Sequence, residues 1–270
     1  MSGASEGTGH EPGALRAVAV LPARIASTRL PRKMLLAETG LPLFVHSARN
    51  AERCGALAAV VVACDDDEVE RVGREHGLTM VRTRPEHASG TDRVLEAFEG
   101  LDGSWDVVLN VQADEPELDP EDLEVLVTAF EEGAVEAATL AAPLEDPELL
   151  VTPSVVKVVT DAHGDALYFS RSPLPSASHA RPGAAAPQTL SRRHLGVYGF
   201  RPSALRAFCA LGESALERSE SLEQLRWLEA GRRMRVQPAR RAASGIDTRN
   251  DYEAFVARHG RRAGAATQER

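Results

Sequence analysis

The sequence has few cysteines, few aromatic residues and no long apolar run. Its 270 residues include three cysteines, Cys54, Cys64 and Cys209, which lie far apart and form no CxxC pair. An odd number of dispersed cysteines is typical of free thiols in a reducing compartment. No stretch approaches the ~20 apolar residues of a membrane-spanning helix, and the N-terminal "MSGASEGTGHEPG" lacks the apolar segment of a signal peptide. We therefore expect a cytoplasmic protein without a membrane partner.

Basic residues are also fewer than acidic residues, 31 Lys and Arg against 40 Asp and Glu. The formal net charge is -9, and binding to duplex nucleic acid requires broad neutralisation of phosphates. Nucleic acid is therefore not expected as a partner. A local basic patch can still hold one small phosphate-bearing ligand. Aromatic residues make up 4% of the chain, so aliphatic side chains must fill the core.

The first half of the chain alternates between apolar runs and helical patterns. The runs at 15–22, 57–64 and 105–112 are nearly continuous in Val, Leu and Ala, as in strands buried on both faces. Helices are predicted between them, one with Thr91 as a plausible N-cap and one with Asp119 at the cap before Pro120. Strand–helix alternation of this kind predicts an α/β fold with a mostly parallel sheet flanked by helices.

The pattern changes near residue 150. "VVKVVTDAHGDALYFSR" reads as a hairpin around an Asp/Gly turn, and 176–189 is a loop rich in Ser, Ala and Pro. We therefore predict an α/β part over 15–150 and a smaller β-rich part over 151–260 that completes the same fold. Residues 1–14 and 261–270 are expected to be disordered tails.

A cationic loop, "ARIASTRLPRK" (23–33), directly follows the first predicted strand and contains no acidic residue. Ligands of open parallel sheets bind outside the carboxyl ends of the strands, where Arg24, Arg29 and Lys33 would meet a triphosphate. A solvated basic loop is the alternative. The loop is neither a GxxxxGK[ST] phosphate loop nor a GxGxxG dinucleotide fingerprint, so a Rossmann oxidoreductase lacks support.

Two aspartates are candidate metal ligands, although each also has a structural interpretation. Asp114 in "NVQADEP" follows a predicted strand, at the same edge of the sheet as the cationic loop, and could instead belong to a turn. Asp247 in "SGIDTRNDYE" precedes the last helix and could simply cap it. Mg²⁺ prefers one or two carboxylates together with phosphate oxygens.

The segment "PARIASTRLPRKML" resembles the signature loop of the sugar-activating nucleotidyltransferases, and in particular of the 3-deoxy-manno-octulosonate (Kdo) cytidylyltransferases. Five motifs follow in the family's order between about Leu15 and His259. The resemblance implies a nucleotide-diphospho-sugar transferase fold and a homodimer, with nucleotide binding over 15–150 and with sugar binding and a β-rich dimerisation subdomain over 151–260. It also implies that a set of loop, helix and strand-end residues binds CTP: Arg24, Ser27, Arg29, Lys33, Ser89, Arg93, Gln112 and Asp114.

The same resemblance implies the catalytic and metal-binding residues. Arg24, Lys33, Asp114 and Asp247 would be catalytic, and the two aspartates would hold Mg²⁺. Ala113 stands where the family usually has Gly, so its methyl group could crowd the ligand. The sugar is expected to contact residues of the later motifs together with Gln112: Arg171, His194, Tyr198, Glu223 and Gln224. Without the resemblance, Glu223 reads as a solvated residue on an amphipathic helix, and Ser89 as an ordinary helix start.

The function implied by the resemblance is the reaction of CTP with Kdo to CMP-Kdo and diphosphate, for lipopolysaccharide biosynthesis. Within the same enzyme class, another 2-keto acid sugar, such as 8-amino-Kdo or a sialic acid, is the alternative substrate. A non-catalytic nucleotide-binding protein on the same fold is the alternative from another class.

Overall fold

The structure, a computed structural model, describes the backbone of residues 15–242 and 245–268, and side chains of these residues as far as Gly260. The predicted tail at 1–14 lies outside the described residues. Within them, nine strands form one sheet. The strands are β1 Ala17–Ala23, β2 Leu57–Cys64, β3 Met80–Arg82, β4 Val107–Asn110, β5 Ala137–Pro143, β6 Lys157–Thr160, β7 Ala166–Ser170, β8 Arg192–Phe200 and β9 Arg235–Pro238.

The strand order is β3-β2-β1-β4-β8-β5-β9, with the β6–β7 hairpin paired to β8. Pairing is parallel from β3 to β4 and between β5 and β9. Strand β8 runs antiparallel to both β4 and β5. These pairings confirm the predicted mixed α/β fold with a mostly parallel sheet, and the antiparallel pairing of β6 with β7 confirms the predicted hairpin.

Helices cover both faces of the sheet, and capping side chains fix several of their starts. Asp119 accepts a hydrogen bond from the Glu121 amide, as predicted. The helix at 90–99 is capped by Ser89 rather than Thr91. The helices are α1 Leu43–Ala51, α2 Asp67–Glu75, α3 Gly90–Glu99, α4 Pro120–Thr128, α5 Glu148–Val151, α6 Pro187–Leu190, α7 Pro202–Ala210, α8 Ala215–Glu220, α9 Leu225–Glu229 and α10 Arg249–Gln268.

Helix α10 continues into the segment 261–270, which the sequence predicts to be a disordered tail. The structure differs from that prediction as far as Gln268. The segment has no proline and is rich in Ala and Arg, which favour helix once a helix has begun. None of the helices in the described part of the chain is long and apolar enough to cross a membrane.

The core consists of two apolar layers, one on each face of the sheet. Alternate residues of β1 serve the two layers, because successive side chains of a strand point to opposite faces. Ala19 and Leu21 belong to one layer, and Val18 and Val20 to the other. All residues of β1 are buried. This burial on both faces explains the unbroken apolar run that the sequence shows at this strand.

Strand pairing brings three chain segments to one edge of the sheet. Val20 of β1 pairs with Asn110 of β4, so the loops that follow these strands leave the sheet side by side. On the other side of β4, Asn110 pairs with Tyr198 of β8. The edge is therefore bordered by the cationic loop, the "QADEP" segment and the middle of β8.

Close packing around Gly199 of β8 gives a testable consequence. A Cβ atom at this position would lie 2.7 Å from Phe130 Cε2 and 3.0 Å from Leu109 Cδ2. Both neighbours are fully buried. We expect Gly199→Ala to lower the free energy of unfolding by about 1–3 kcal/mol, because overpacking forces buried side chains to shift.

Denaturant unfolding of Gly199→Ala and Gly73→Ala measures this effect. The Cβ of Gly73→Ala would meet the flexible thioether end of Met80, and alanine favours helix α2. Gly73→Ala is the control, and it should therefore lose less stability than Gly199→Ala. Equal stability of Gly199→Ala and the wild type would contradict the packing described here.

His46 in α1 should make the free energy of unfolding depend on pH. The ring of His46 lies 5.2 Å from that of Phe255 and 4.8 Å from that of His259, between centroids. Burial, together with His259, lowers the pKa of His46 to about 4. Between this value and about 6.5 the unfolded chain binds the proton that the folded chain excludes. The contribution of His46 to stability therefore falls as the pH falls through this window.

Unfolding of the wild type and His46→Gln at several pH values isolates this contribution. The wild type should lose stability relative to His46→Gln as the pH falls from about 6.5 to about 4. A difference between the two proteins that does not change with pH would contradict the assignment.

Candidate active site

The cationic loop borders a cavity of about 370 Å³ at the carboxyl ends of β1 and β4. Its first residues leave β1 directly, and Lys33 lies in a single 3₁₀ turn, Lys33–Leu35. Burial, together with the nearby Arg93, lowers the pKa of Arg24. The lining includes seven residues predicted from the sequence: Arg24, Ser27, Arg29, Lys33, Gln112, Asp114 and Asp247.

Asp114 and Asp247 converge on the ammonium of Lys33. Lys33 Nζ forms an ion pair with the Asp114 carboxylate and lies 3.2 Å from Asp247 Oδ1. The same ammonium donates a hydrogen bond of 3.1 Å to the Ile246 carbonyl. Arg29 Nη2 lies 2.9 Å from Asp247 Oδ1. The structure thus joins the two predicted acids and two of the predicted cations in one cluster.

The structure rules out the helix cap as the role of Asp247. Thr248 is the capping residue of α10, because its Oγ1 accepts a hydrogen bond of 3.3 Å from the Asp251 amide. The Asp251 carboxylate in turn accepts hydrogen bonds from the amides of Asp247 and Thr248. The side chain of Asp247 therefore does not cap the helix and instead contacts Arg29 and Lys33.

The position of Ala113 removes the expected crowding. Its side chain belongs to the apolar core layer, and its carbonyl accepts a hydrogen bond of 2.8 Å from Ser47 Oγ. The methyl group is not part of the described cavity lining. The departure from the family's Gly therefore leaves the cavity open.

The carboxylates fit a hard divalent cation. Asp114 and Asp247 offer oxygen ligands beside a basic cavity, and Mg²⁺ takes one or two carboxylates with phosphate oxygens. No group of three or more acidic, His or Cys side chains placed to hold a metal occurs among the described residues. The donor set therefore suits a metal that arrives with a phosphate ligand.

Glu115, which the sequence analysis did not select, lies beside this cluster and has a strongly shifted pKa. Burial raises the pKa of Glu115 to about 8, with a further contribution from Asp114. The Arg193 guanidinium acts in the opposite direction. Glu115 lines a second cavity.

Two predicted nucleotide-binding residues make structural contacts. Ser89 forms a capping box with Asp92 at the start of α3, which agrees with the helix-start interpretation. Arg93 is fully buried. It donates hydrogen bonds of 2.6 Å to the Asp65 carboxylate and to Thr83 Oγ1. Neither residue is among the described residues lining the first cavity, and contact with cytosine stays a prediction for both.

The second cavity has a volume of about 230 Å³ and contains three of the predicted sugar-binding residues, His194, Tyr198 and Gln224. The Tyr198 hydroxyl donates a hydrogen bond of 3.0 Å to Gln224 Oε1, and burial raises its pKa. Burial lowers the pKa of His194 to about 3, so its ring is neutral near pH 7. Gln112 joins the two cavities, because it lines the first and donates a hydrogen bond of 3.1 Å to the Gly196 carbonyl beside the second.

The side chain of Glu223 is 25% exposed and is held by a hydrogen bond. It accepts a hydrogen bond of 2.8 Å from Thr91 Oγ1, and burial raises its pKa. Glu223 is therefore partly buried rather than fully solvated, and its contact with the sugar stays a prediction. It is not among the described residues that line the second cavity.

Arg171 makes contacts with the backbone, and its contact with the sugar stays a prediction. Its guanidinium donates hydrogen bonds to the carbonyls of Glu220, Pro153 and Ser221, at 2.8, 3.2 and 3.4 Å. These carbonyls hold the side chain against the end of α8, outside the described lining of the second cavity. Arg193 lines that cavity instead. Strand alternation places residue 193 on the face opposite His194, yet both residues line the cavity.

Comparisons with known proteins agree with this geometry. A family model described as cytidylyltransferase matches residues 18–234. The chain belongs to the cytidylyltransferase family. A relative from Anaeromyxobacter sp. (strain Fw109-5), named 3-deoxy-manno-octulosonate cytidylyltransferase, is 47% identical over 238 residues, which cover 88% of this chain and 94% of the relative.

Two further cytidylyltransferases extend the comparison. The 3-deoxy-manno-octulosonate cytidylyltransferase of Leptothrix cholodnii is 44% identical over 262 residues, covering 95% of this chain and 96% of the relative. A solved structure of CMP:2-keto-3-deoxy-manno-octonic acid synthetase complexed with CTP matches with a TM-score of 0.84 and 36% identity. That match covers 92% of this chain and 99% of the other. The fold of the cytidylyltransferases thus extends over nearly the whole described chain.

Proposed function

We propose that this cytidylyltransferase transfers the cytidylyl group of CTP to Kdo, giving CMP-Kdo and diphosphate. The observation that carries the proposal is the convergence of Asp114 and Asp247 on Lys33, inside a basic cavity that adjoins a second polar cavity. A nucleotide triphosphate suits the first cavity, and a polyhydroxylated sugar suits the second. The names of the relatives support CTP and Kdo as the substrates.

The basic residues bind and orient the triphosphate. Arg24 and Arg29 offer planar donors to phosphate oxygens, and Lys33 offers a compact positive charge. Mg²⁺ bound by Asp114 and Asp247 would neutralise the charge that develops on the phosphates. Since Lys33 and Arg29 already lie at hydrogen-bond distance from the acids, cations and carboxylates can act on the same phosphate groups.

The second cavity orients the sugar for attack. In the proposed reaction, the anomeric hydroxyl oxygen bonds to the α-phosphorus in line while the bond to the diphosphate oxygen breaks, and the hydroxyl proton passes to solvent. Gln112 lies between the two substrates. Tyr198 and neutral His194 serve as hydrogen-bonding groups rather than as charges. Orientation and preorganised charge then provide most of the rate enhancement.

We further propose a cytoplasmic homodimer that acts in lipopolysaccharide biosynthesis. Four large apolar side chains of the later part are exposed among the described residues, Val151 at 64%, Leu167 at 61%, Leu190 at 53% and Leu216 at 37%. The family resemblance is the main support for the homodimer, and these side chains are available to an interface. Sedimentation velocity of the purified chain measures its mass in solution.

The proposal is tested with purified full-length chain, CTP and Mg²⁺, and diphosphate release as the readout. Kdo, 8-amino-Kdo and a sialic acid are offered in parallel, and UTP replaces CTP in the control. We expect release of diphosphate with CTP and Kdo. Turnover with another 2-keto acid sugar but not with Kdo would change the assigned substrate, whereas CTP binding without any turnover would indicate a non-catalytic nucleotide-binding protein.

A further inference from the structure

A small apolar cluster, separate from the two core layers, packs the segments that carry the cations and the acids against each other. We call it the α10 cluster. Its buried members come from the cationic loop, from α1, from α10 and from the segment before α10: Leu30, Leu43, Ile246, Tyr252 and Phe255. Leu30 directly follows Arg29 in the chain, and Ile246 directly precedes Asp247. Packing within the α10 cluster therefore fixes the cationic loop relative to Asp247.

Ile246 connects the α10 cluster to both acids. Its side chain is buried in the cluster. Its amide donates a hydrogen bond of 3.0 Å to the Asp114 carbonyl, and its carbonyl accepts the hydrogen bond from Lys33 Nζ. The position of Ile246 therefore sets how closely Asp247 approaches Asp114 and Lys33.

Tyr252 joins the α10 cluster to the segment that follows the cationic loop. Its side chain is fully buried, and its hydroxyl accepts a hydrogen bond of 2.9 Å from the Glu38 amide. The Glu38 carboxylate lies 2.7 Å from Arg249 Nη2, but this ion pair is exposed and should contribute less to the docking of α10. Tyr252 is not among the described residues that line either cavity. Its influence on the site therefore passes through Ile246 and Asp247.

We propose that Tyr252 is a positioning residue for the metal site and that it sets the affinity for the Mg²⁺ that accompanies CTP. Mg²⁺ demands near-ideal octahedral geometry, so a shift of Asp247 relative to Asp114 weakens its binding. Groups that hold metal ligands in place commonly change metal affinity strongly when they are removed. The inference rests on the proposed function and deepens it, because it names the side chain that holds the two acids in register.

The test is calorimetric titration of the full-length chain with CTP at a series of Mg²⁺ concentrations and with a chelator. Tyr252→Phe removes only the hydroxyl, whereas Tyr252→Leu also removes the ring. Phe130→Leu is the matched control, because it removes a fully buried ring from a core layer. We expect the Mg²⁺ concentration that half-maximally tightens CTP binding to rise about threefold in Tyr252→Phe and about tenfold in Tyr252→Leu. The control should keep the wild-type value.

Steady-state kinetics provide a second readout that a general loss of stability would not produce. Saturating Mg²⁺ should restore kcat of both Tyr252 variants to near the wild-type value, and KM for Kdo should not change. In the presence of a chelator, the affinity of both variants for CTP should equal that of the wild type. The defect is thus confined to the metal.

The outcomes separate this inference from the proposed function. A wild-type response to Mg²⁺ in both Tyr252 variants overturns the role of Tyr252 and leaves the proposed function intact. An equally weakened response in Phe130→Leu overturns it as well, since lost stability would then explain the effect. A wild-type protein whose affinity for CTP does not depend on Mg²⁺ overturns both the metal assignment and the role of Tyr252. Thermal unfolding shows that each variant is folded, and Tyr252→Phe decides the question if Tyr252→Leu is not.

Discussion

Replacing either Asp114 or Asp247 by asparagine is expected to lower kcat for diphosphate release by about 10²–10³-fold. The amide keeps the size of the side chain but removes its negative charge, so it is a weak ligand for Mg²⁺. Each substitution also removes one of the two carboxylates that surround Lys33. Because the two acids act on one substrate group, the double variant should lose little more than the single variants.

The measurement is kcat at saturating CTP and Kdo over a range of Mg²⁺ concentrations. Glu68→Gln is the matched control, since Glu68 is a carboxylate in an exposed ion pair with Arg32, outside the described lining of the cavity. The control should keep its kcat within about twofold, in line with the small effect of exposed ion pairs. Near-normal turnover in both aspartate variants would show that the metal assignment is wrong.

Replacing Lys33 by methionine should have the second largest effect. Lys33 is 9% exposed and contacts both acids, so the substitution removes a buried cation and leaves two carboxylates near each other without it. We expect kcat/KM for CTP to fall by about 10²–10³-fold, because positive charge at the phosphates is lost. Mg²⁺ should raise the unfolding temperature of Lys33→Met more than that of the wild type, since only the metal then offsets the repulsion between the acids.

Steady-state kinetics and thermal unfolding with and without Mg²⁺ measure both effects of Lys33→Met. Arg32→Asn is the control, because Arg32 is the neighbouring cation, pairs with Glu68 at the surface, and has a left-handed backbone with φ 57° that asparagine tolerates. The control should remain active. A Lys33→Met enzyme with unchanged kcat/KM for CTP would remove Lys33 from the triphosphate site.

The features predicted well from the sequence depend on local patterns. The apolar run of β1 and the cap at Asp119 are set by residues adjacent in the chain. The shared edge of β1 and β4 follows from parallel strand order, which the strand–helix alternation indicates. The meeting of Asp114 with Asp247 was anticipated through the family resemblance, because no local pattern links residues so distant in the chain.

The features that the sequence did not predict depend on contacts between distant residues. The hydrogen bonds of Arg171 to carbonyls at the end of α8 could not be read from its motif, and its contact with the sugar stays a prediction. Arg193 was missed because regular alternation places adjacent strand residues on opposite faces, whereas both Arg193 and His194 line the second cavity. Burial of Arg93 against Asp65 likewise depends on the packing of α3 on the ends of β2 and β3.

Calorimetric titration of CTP, with Mg²⁺ and again with a chelator, tests most directly whether the acids and cations hold one metal-bound triphosphate. The wild type should bind CTP at least about tenfold more tightly with Mg²⁺, and the double variant Asp114→Asn/Asp247→Asn should lose this difference. A double variant whose affinity for CTP still rises with Mg²⁺ as in the wild type would contradict the account.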